Sequence, residues 1–298
     1  MNAFFPLIAA VISAGSLTFD KVILSVHNVD YRAYLRFGYP VYFGAMVILF
    51  LIFSPPLPPE LFAGELLALF LASAAVMLVL AITYYRALDD DGLGEVQTLD
   101  LLHYIPVVLV SSFLFSDERN AVVVVAALIA TGAVFWSHWE HHRVAIAKRT
   151  LEFVMWAAVA APIEAVIAKT LLLYWHPVAF ATVRSGVIAI AIFLLFSRHA
   201  ARLPAQAMRL SFLPAALSAI AITLYFYSFQ QFGIVYTVLL FSIQPLLVYV
   251  SAVLFLKEQF HKKKGDCVCD RAWRDHGGAD PFLTMEGIMR SCCYSRYR

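Results

Sequence analysis

Charge is scarce in this sequence. Lys, Arg, Asp and Glu make up 14% of its 298 residues, against about a quarter in a soluble domain. Hydrophobic residues make up 62% and the mean hydropathy is +0.78, which excludes a soluble globular domain and points to an integral membrane protein. The formal net charge of +2 is too small to imply nucleic acid, and the basic residues fall in short loops. Cysteine is absent from the first 266 residues; Cys267, Cys269, Cys292 and Cys293 all follow. The apolar part therefore has no disulfide framework, and the four cysteines lack the paired Cys-x-x-Cys of a zinc ribbon. A Gly-rich phosphate loop, a nucleophile motif and paired catalytic carboxylates are missing too. No catalytic residue, cofactor or metal is expected.

What is present is long apolar runs. Charges and prolines divide the chain into about nine of them, at roughly 3–26, 33–53, 64–87, 94–116, 120–137, 153–174, 178–197, 210–231 and 234–256. At about 1.5 Å per residue each is long enough for most or all of a bilayer crossing of roughly 30 Å. The N-terminal run lacks a Lys/Arg n-region and exceeds a usual signal-peptide core, so it reads as a retained first helix. Several runs contain an ionisable residue, which suits helices packed around a polar interior.

The runs repeat. Gly94 to Glu118 and Gly233 to Glu258 share a plan: a proline twelve residues after the glycine (Pro106, Pro245) and a closing Phe-x-x-Glu (Phe115/Glu118, Phe255/Glu258). Lys21 and Arg36 are fifteen residues apart, as are Lys169 and Arg184, and each arginine is followed two residues later by a glycine, Gly38 or Gly186. Ala81-Ile82-Thr83 recurs as Ala221-Ile222-Thr223, ahead of Tyr85 and Tyr225. The features come in the same order in both halves, as in duplicated transporter folds.

This ordered set, with its doubled Pro…Leu-Phe-x-x-Glu ending, resembles the EamA-type drug/metabolite transporters over roughly residues 5–264. The resemblance implies an all-α polytopic bundle of two five-helix repeats that exports or exchanges small metabolites. An odd helix count per repeat inserts the copies with opposite orientation. The expected division is 1–140, 150–264 and a tail at 265–298, and the chain departs from the family pattern in that tail. After Glu258 no run could span a bilayer, so the tenth helix is expected to be lost, by frameshift or truncation, with impaired transport as the consequence. Basic residues cluster in the loops after odd-numbered helices (Arg86, Lys148, Arg149, Arg198, Lys262 to Lys264), with only Arg119 on the other side. The positive-inside rule then places the N-terminus outside, opposite to the family's usual orientation.

Candidate residues follow from the cost of burying charge. Lys21 and Lys169 lie within apolar helices, with Asp20 and Glu164 near enough for internal ion pairs; snorkelling to the interface is the other reading. Arg36 and Arg184, in the first turns of their helices, read as interfacial anchors. Asp100 and His103 share a helix face at i, i+3 and could relay protons or fix packing. Tyr85 and Tyr225 are expected to line a cavity, while Tyr84, Tyr227 and Trp156 read as interfacial. Pro106 and Pro245 are candidate hinges. Glu118 and Glu258 read as caps of the following helix. His138, His141 and His142 form a solvated cluster rather than a metal site. The expected setting is a multi-pass inner or plasma membrane protein, its partners a small-molecule substrate and the lipid bilayer, with a homodimer as a further option. The competing reading is a non-transporting membrane protein, either a lipid-modifying enzyme or a partner subunit of a helix bundle.

Overall fold

The computed structural model describes residues 4–27, 29–57, 62, 64–119, 147–198 and 203–255, with scattered positions between 121 and 132. The helices are α1 (Phe5–Val26), α2 (Tyr31–Phe53), α3 (Gly64–Asp90), α4 (Leu93–Asp100), α5 (Tyr104–Leu114), α6 (Lys148–Leu172), α7 (Pro177–Leu195), α8 (Ala205–Leu210), α9 (Phe212–Phe232), α10 (Ile234–Phe241) and α11 (Gln244–Phe255). Among the described residues there is no strand. Eight spans are long and apolar enough to cross a membrane, α4–α5, α8–α9 and α10–α11 each serving as one. The fifth expected run, 120–137, is described only at scattered helical positions. The histidine cluster at 138–142, Glu258 and the tail at 265–298 lie outside the described residues.

Local chemistry sets several helix starts. Asp30 caps α2 by accepting the Arg32 backbone N–H at 2.7 Å. Pro177 opens α7, where a missing N–H costs nothing. α6 begins five residues ahead of its apolar run because polar partners hold its first turn. Arg149 pairs with Asp90 at 2.9 Å, and Asp91 accepts the Ala147 backbone N–H at 3.1 Å and the Thr150 hydroxyl at 2.5 Å.

One face of α6 shows how the bundle meets lipid. Leu151, Met155, Val159 and Ile163, spaced by four, are exposed, while Phe153, Ala157, Ala160, Glu164, Ala168 and Leu171 are buried. A helix that is apolar on its outer face and carries its carboxylate inward is built inside-out relative to a soluble one.

The packing maps onto itself when the first four spans are exchanged for the last four. α1 packs on α9 as α6 packs on α3; α2 packs on α7 directly; α1 meets α10 and α11 as α6 meets α4 and α5. The fourth span of each set is broken. A 3-10 turn at Leu101–His103 separates α4 from α5, and a turn at Ser242–Ile243 separates α10 from α11. Pro106 and Pro245 sit two and one residues into the helices that follow. Each proline removes one backbone donor and crowds the carbonyl four residues back, Leu102 or Phe241, which places the breaks.

Candidate functional site

Two adjoining lobes lie within the bundle, one of about 330 Å3 and one of about 360 Å3. Tyr39, Tyr85, Arg184, Ile222, Tyr225 and Phe241 line both.

The first lobe contains Asp20, 4% exposed. The Tyr34 hydroxyl donates to its Oδ1 and the Tyr85 hydroxyl to its Oδ2 at 2.7 Å. Lys21, the next residue, lies about 100° further round the helix and serves elsewhere. Its ammonium donates to the carbonyls of Leu88 at 2.5 Å and Asp91 at 2.9 Å, at the end of α3, where a helix favours a cation. Lys21 lines neither lobe.

At the junction of the lobes Arg184 donates through Nη1 to Glu164 Oε1. Ser73 donates to the same oxygen at 3.1 Å. The guanidinium lies 4.7 Å from the Phe180 ring and 4.8 Å from the Phe226 ring, so a buried charge is wrapped in hydrogen bonds and π-faces. Glu164 Oε2 is buried and has no hydrogen-bond partner among the described residues. In the second lobe His103 Nδ1 lies 2.8 Å from Asp100 Oδ1, and Gln97 donates to the Tyr84 hydroxyl at 2.7 Å.

Away from the lobes, Lys169 sits in a cage made by the first Phe-x-x-Glu. Its ammonium is 2.5 Å from Glu118 Oε1 and 2.7 Å from Asp117 Oδ2, and 4.4 Å from the centre of the Phe115 ring. Glu118 also accepts the backbone N–H groups of Ile234 at 2.6 Å and Val235 at 3.0 Å, the orphan donors at the start of α10. Glu118 thus caps a helix of the other half. Gly233 allows that approach: its φ is +82°, and a Cβ there would overlap the Glu118 carboxylate. The Lys169 hydrogen bond holds the Asp117 carboxyl below the usual range.

Of the residues picked from sequence, Asp100, His103, Glu164, Tyr85 and Tyr225 line the lobes. Lys21 and Lys169 sit at helix ends away from them, and Glu164 is joined to Arg184 rather than to Lys169. Pro106 and Pro245 adjoin the two breaks. Tyr227 pairs with His176 at 2.9 Å, and burial pushes His176 below its ordinary value. Arg184 is a correction: it lies in the second turn of α7 and is 5% exposed, so it is no interfacial anchor. Sequence reasoning also passed over Tyr34, Tyr39 and Tyr42. Tyr34, Gly38 and Tyr42 recur every four residues on α2 and line the first lobe, a stripe that was there to be read.

Residues 150–265 match the EamA-like transporter family. The matched segment, under half of the chain, is similar to an EamA-like transporter domain. That supports membership of the drug/metabolite transporter superfamily and, with the eight apolar spans, makes this a multi-pass membrane protein. A solved crystal structure of a protein 15% identical in sequence superposes with a TM-score of 0.63, covering 91% of this chain and 92% of its own. At that identity the likeness is one of fold, and it extends over both halves of the chain. No curated protein matches the chain.

Proposed function

We infer that this EamA-like protein moves a small organic metabolite across the membrane by alternating access, and that it is not an enzyme. The central two-lobed chamber is the binding site. Tyr85, Tyr225, Asp100, His103 and Glu164 contact the substrate or shape its site, joined by Asp20 and Arg184. The two halves act as inverted repeats that rock about the chamber, with the breaks beside Pro106 and Pro245 as hinges. Lys21 and Lys169 tie helix ends together and hold the outer contacts of one state.

One observation carries this reading most: ionisable side chains from α1, α4, α6 and α7 converge on a chamber of a few hundred Å3 at the interface of the exchanged sets. Buried charge in a membrane is expensive and marks a pathway, and a site between repeats, beside discontinuous helices, is where alternating access needs one. Buried polar groups that served packing alone would not require a chamber beside them.

The test is reconstitution of the full chain in sealed proteoliposomes against a panel of amino acids, amines, nucleosides and sugars. Saturable, temperature-dependent flux of one class is expected, at least tenfold reduced by Arg184→Ala with protein insertion unchanged. Flux no greater than in empty liposomes for every class would remove the transport reading. A pH gradient imposed on the same vesicles separates proton coupling, which changes the rate, from exchange, which needs substrate on the far side.

A further inference from the structure

The charge facing the chamber does not balance. Three carboxylates line it, Asp20, Asp100 and Glu164, against one arginine, Arg184. Arg184 is committed to Glu164, and Asp100 to His103. Asp20 forms no ion pair among the described residues; hydroxyl groups alone answer it, from Tyr34 and Tyr85. Two hydroxyl donors use half of the four or so lone-pair sites of a carboxylate.

A second, separate observation lies in the other lobe. Glu164 is 8% exposed, lines that lobe, and its Oε2 accepts no hydrogen bond among the described residues. An acceptor left open in a buried position is a demand for a donor. Both lobes therefore present negative, hydrogen-bond-accepting groups.

The wall around Asp20 is aromatic. Tyr34, Tyr39, Tyr42, Tyr85 and Tyr225 all line the first lobe. Ring faces attract cations through their quadrupole, and a desolvated site strengthens that attraction. A carboxylate ringed by tyrosines is chemistry for an ammonium head, whether it carries hydrogens or methyl groups. An anion would meet three carboxylates and a single cation already held by Glu164. Beyond the tyrosines, Leu17, Met77, Ile222 and Phe241 give the rest of the chamber an apolar lining suited to a flat or aliphatic body.

Resting on the transport reading above, we propose that the cargo is an organic ammonium ion with an apolar body, its head held at Asp20 within the tyrosine ring. The body extends past the side chains common to both lobes toward Glu164, whose open Oε2 takes a further donor where the cargo has one. This assigns Asp20 the principal charge contact.

The test uses the full chain in nanodiscs and four probes of similar shape: phenethylamine, its N,N,N-trimethyl derivative, 2-phenylethanol and 3-phenylpropionate. Calorimetric titration should show both ammonium probes binding at least tenfold more tightly than the alcohol and the carboxylate. Asp20→Asn should weaken both ammonium probes at least tenfold and leave the alcohol unchanged. If Asp20→Asn does not fold, the selectivity of the native chain decides alone. Binding of the carboxylate or the alcohol as tight as that of the amine would overturn the proposal, as would an Asp20→Asn variant that keeps its selectivity. Flux assays with the same probes separate the two readings. A carboxylate that is carried leaves transport standing and removes the cation site; an amine that binds but is never carried does the reverse.

Discussion

The first helices of the two halves occupy equivalent places and solve the same problem differently. α1 and α6 each bring one carboxylate to the chamber and one lysine to a helix end. Aligned on the lysines, however, Glu164 falls opposite Ser16, and the chamber acid of α1 is Asp20, one turn further along. Ser16 shares a 2.7 Å hydrogen bond with Ser218, where Glu164 holds Arg184. The matching arginines differ as well: Arg184 is buried, while Arg36 lies 5.2 Å over the Phe193 ring. A duplicated scaffold thus keeps its packing partners while each copy distributes charge in its own way, which makes the chamber polar but asymmetric.

The sharpest way to break that comparison is at Arg184. Replacing it with Ala leaves Glu164 buried with no cation, at a cost of about 3–5 kcal/mol. Arg36 is only half-buried, and Arg36→Ala should cost less, about 1–2 kcal/mol, the scale of a partly desolvated cation–π contact. Thermal or denaturant unfolding in a defined detergent measures both. The double variant Arg184→Ala/Glu164→Ala should be less destabilised than the sum of the singles, because it removes both charges of the pair. Equal losses at Arg36 and Arg184 would mean that burial does not distinguish the two copies.

Glycine gives a second contrast. Gly233 and Gly92 both stand at the N-cap of a broken fourth span, but Gly233 has φ +82° and Gly92 has φ −66°. Gly233→Ala must strain the backbone, about 1–3 kcal/mol, and push Glu118 off the N-terminus of α10 as well. Gly92→Ala requires neither and should cost under about 1 kcal/mol. The repeated Arg-x-Gly sharpens the same point at lower amplitude. A Cβ on Gly186 would come within 2.9 Å of the Phe43 ring, whereas one on Gly38 meets nothing nearer than Tyr34 at 3.8 Å. Gly186→Ala is expected to cost about 1–3 kcal/mol through overpacking of α7 on α2, and Gly38→Ala close to nothing.

These contrasts also mark what could be read in the sequence. Eight of the nine expected spans followed from apolar run length, and the breaks at the fourth spans from two prolines, because both are local properties of the chain. The Asp100–His103 pair was legible from its i, i+3 spacing on one helix. Glu164 was legible as a buried acid, but its partner was not: Arg184 lies twenty residues away on another helix, and only the crossing of α6 with α7 and α3 brings the two to Ser73. For the same reason the cap that Glu118 makes on α10 was not legible. Its carboxylate is held by Lys169 and by two N–H groups more than a hundred residues later. The tyrosine stripe of α2 was visible as spacing, but tyrosine at a membrane interface has the same signature.

The smallest effect belongs to the outer member of the Lys169 cage. Glu118 has a side chain 4% exposed and caps α10; Asp117, beside it on the same lysine, is 67% exposed. Water screens the outer contact, so Asp117→Asn should cost about 0–1 kcal/mol at neutral pH and less in high salt. Its dependence on pH has a definite sign. The lysine lowers the folded-state carboxyl below its ordinary value of about 3.9, so its contribution is complete above that value and disappears as pH falls through the lowered one. Melting curves of the native chain and Asp117→Asn should therefore differ slightly at pH 7 and converge below about pH 4. Glu118→Ala should remain strongly destabilised at pH 7, by several-fold more than Asp117→Asn, because it also strips the cap from Ile234 and Val235. If the two substitutions proved equally costly, Lys169 would be held by charge alone and the helix cap would contribute nothing.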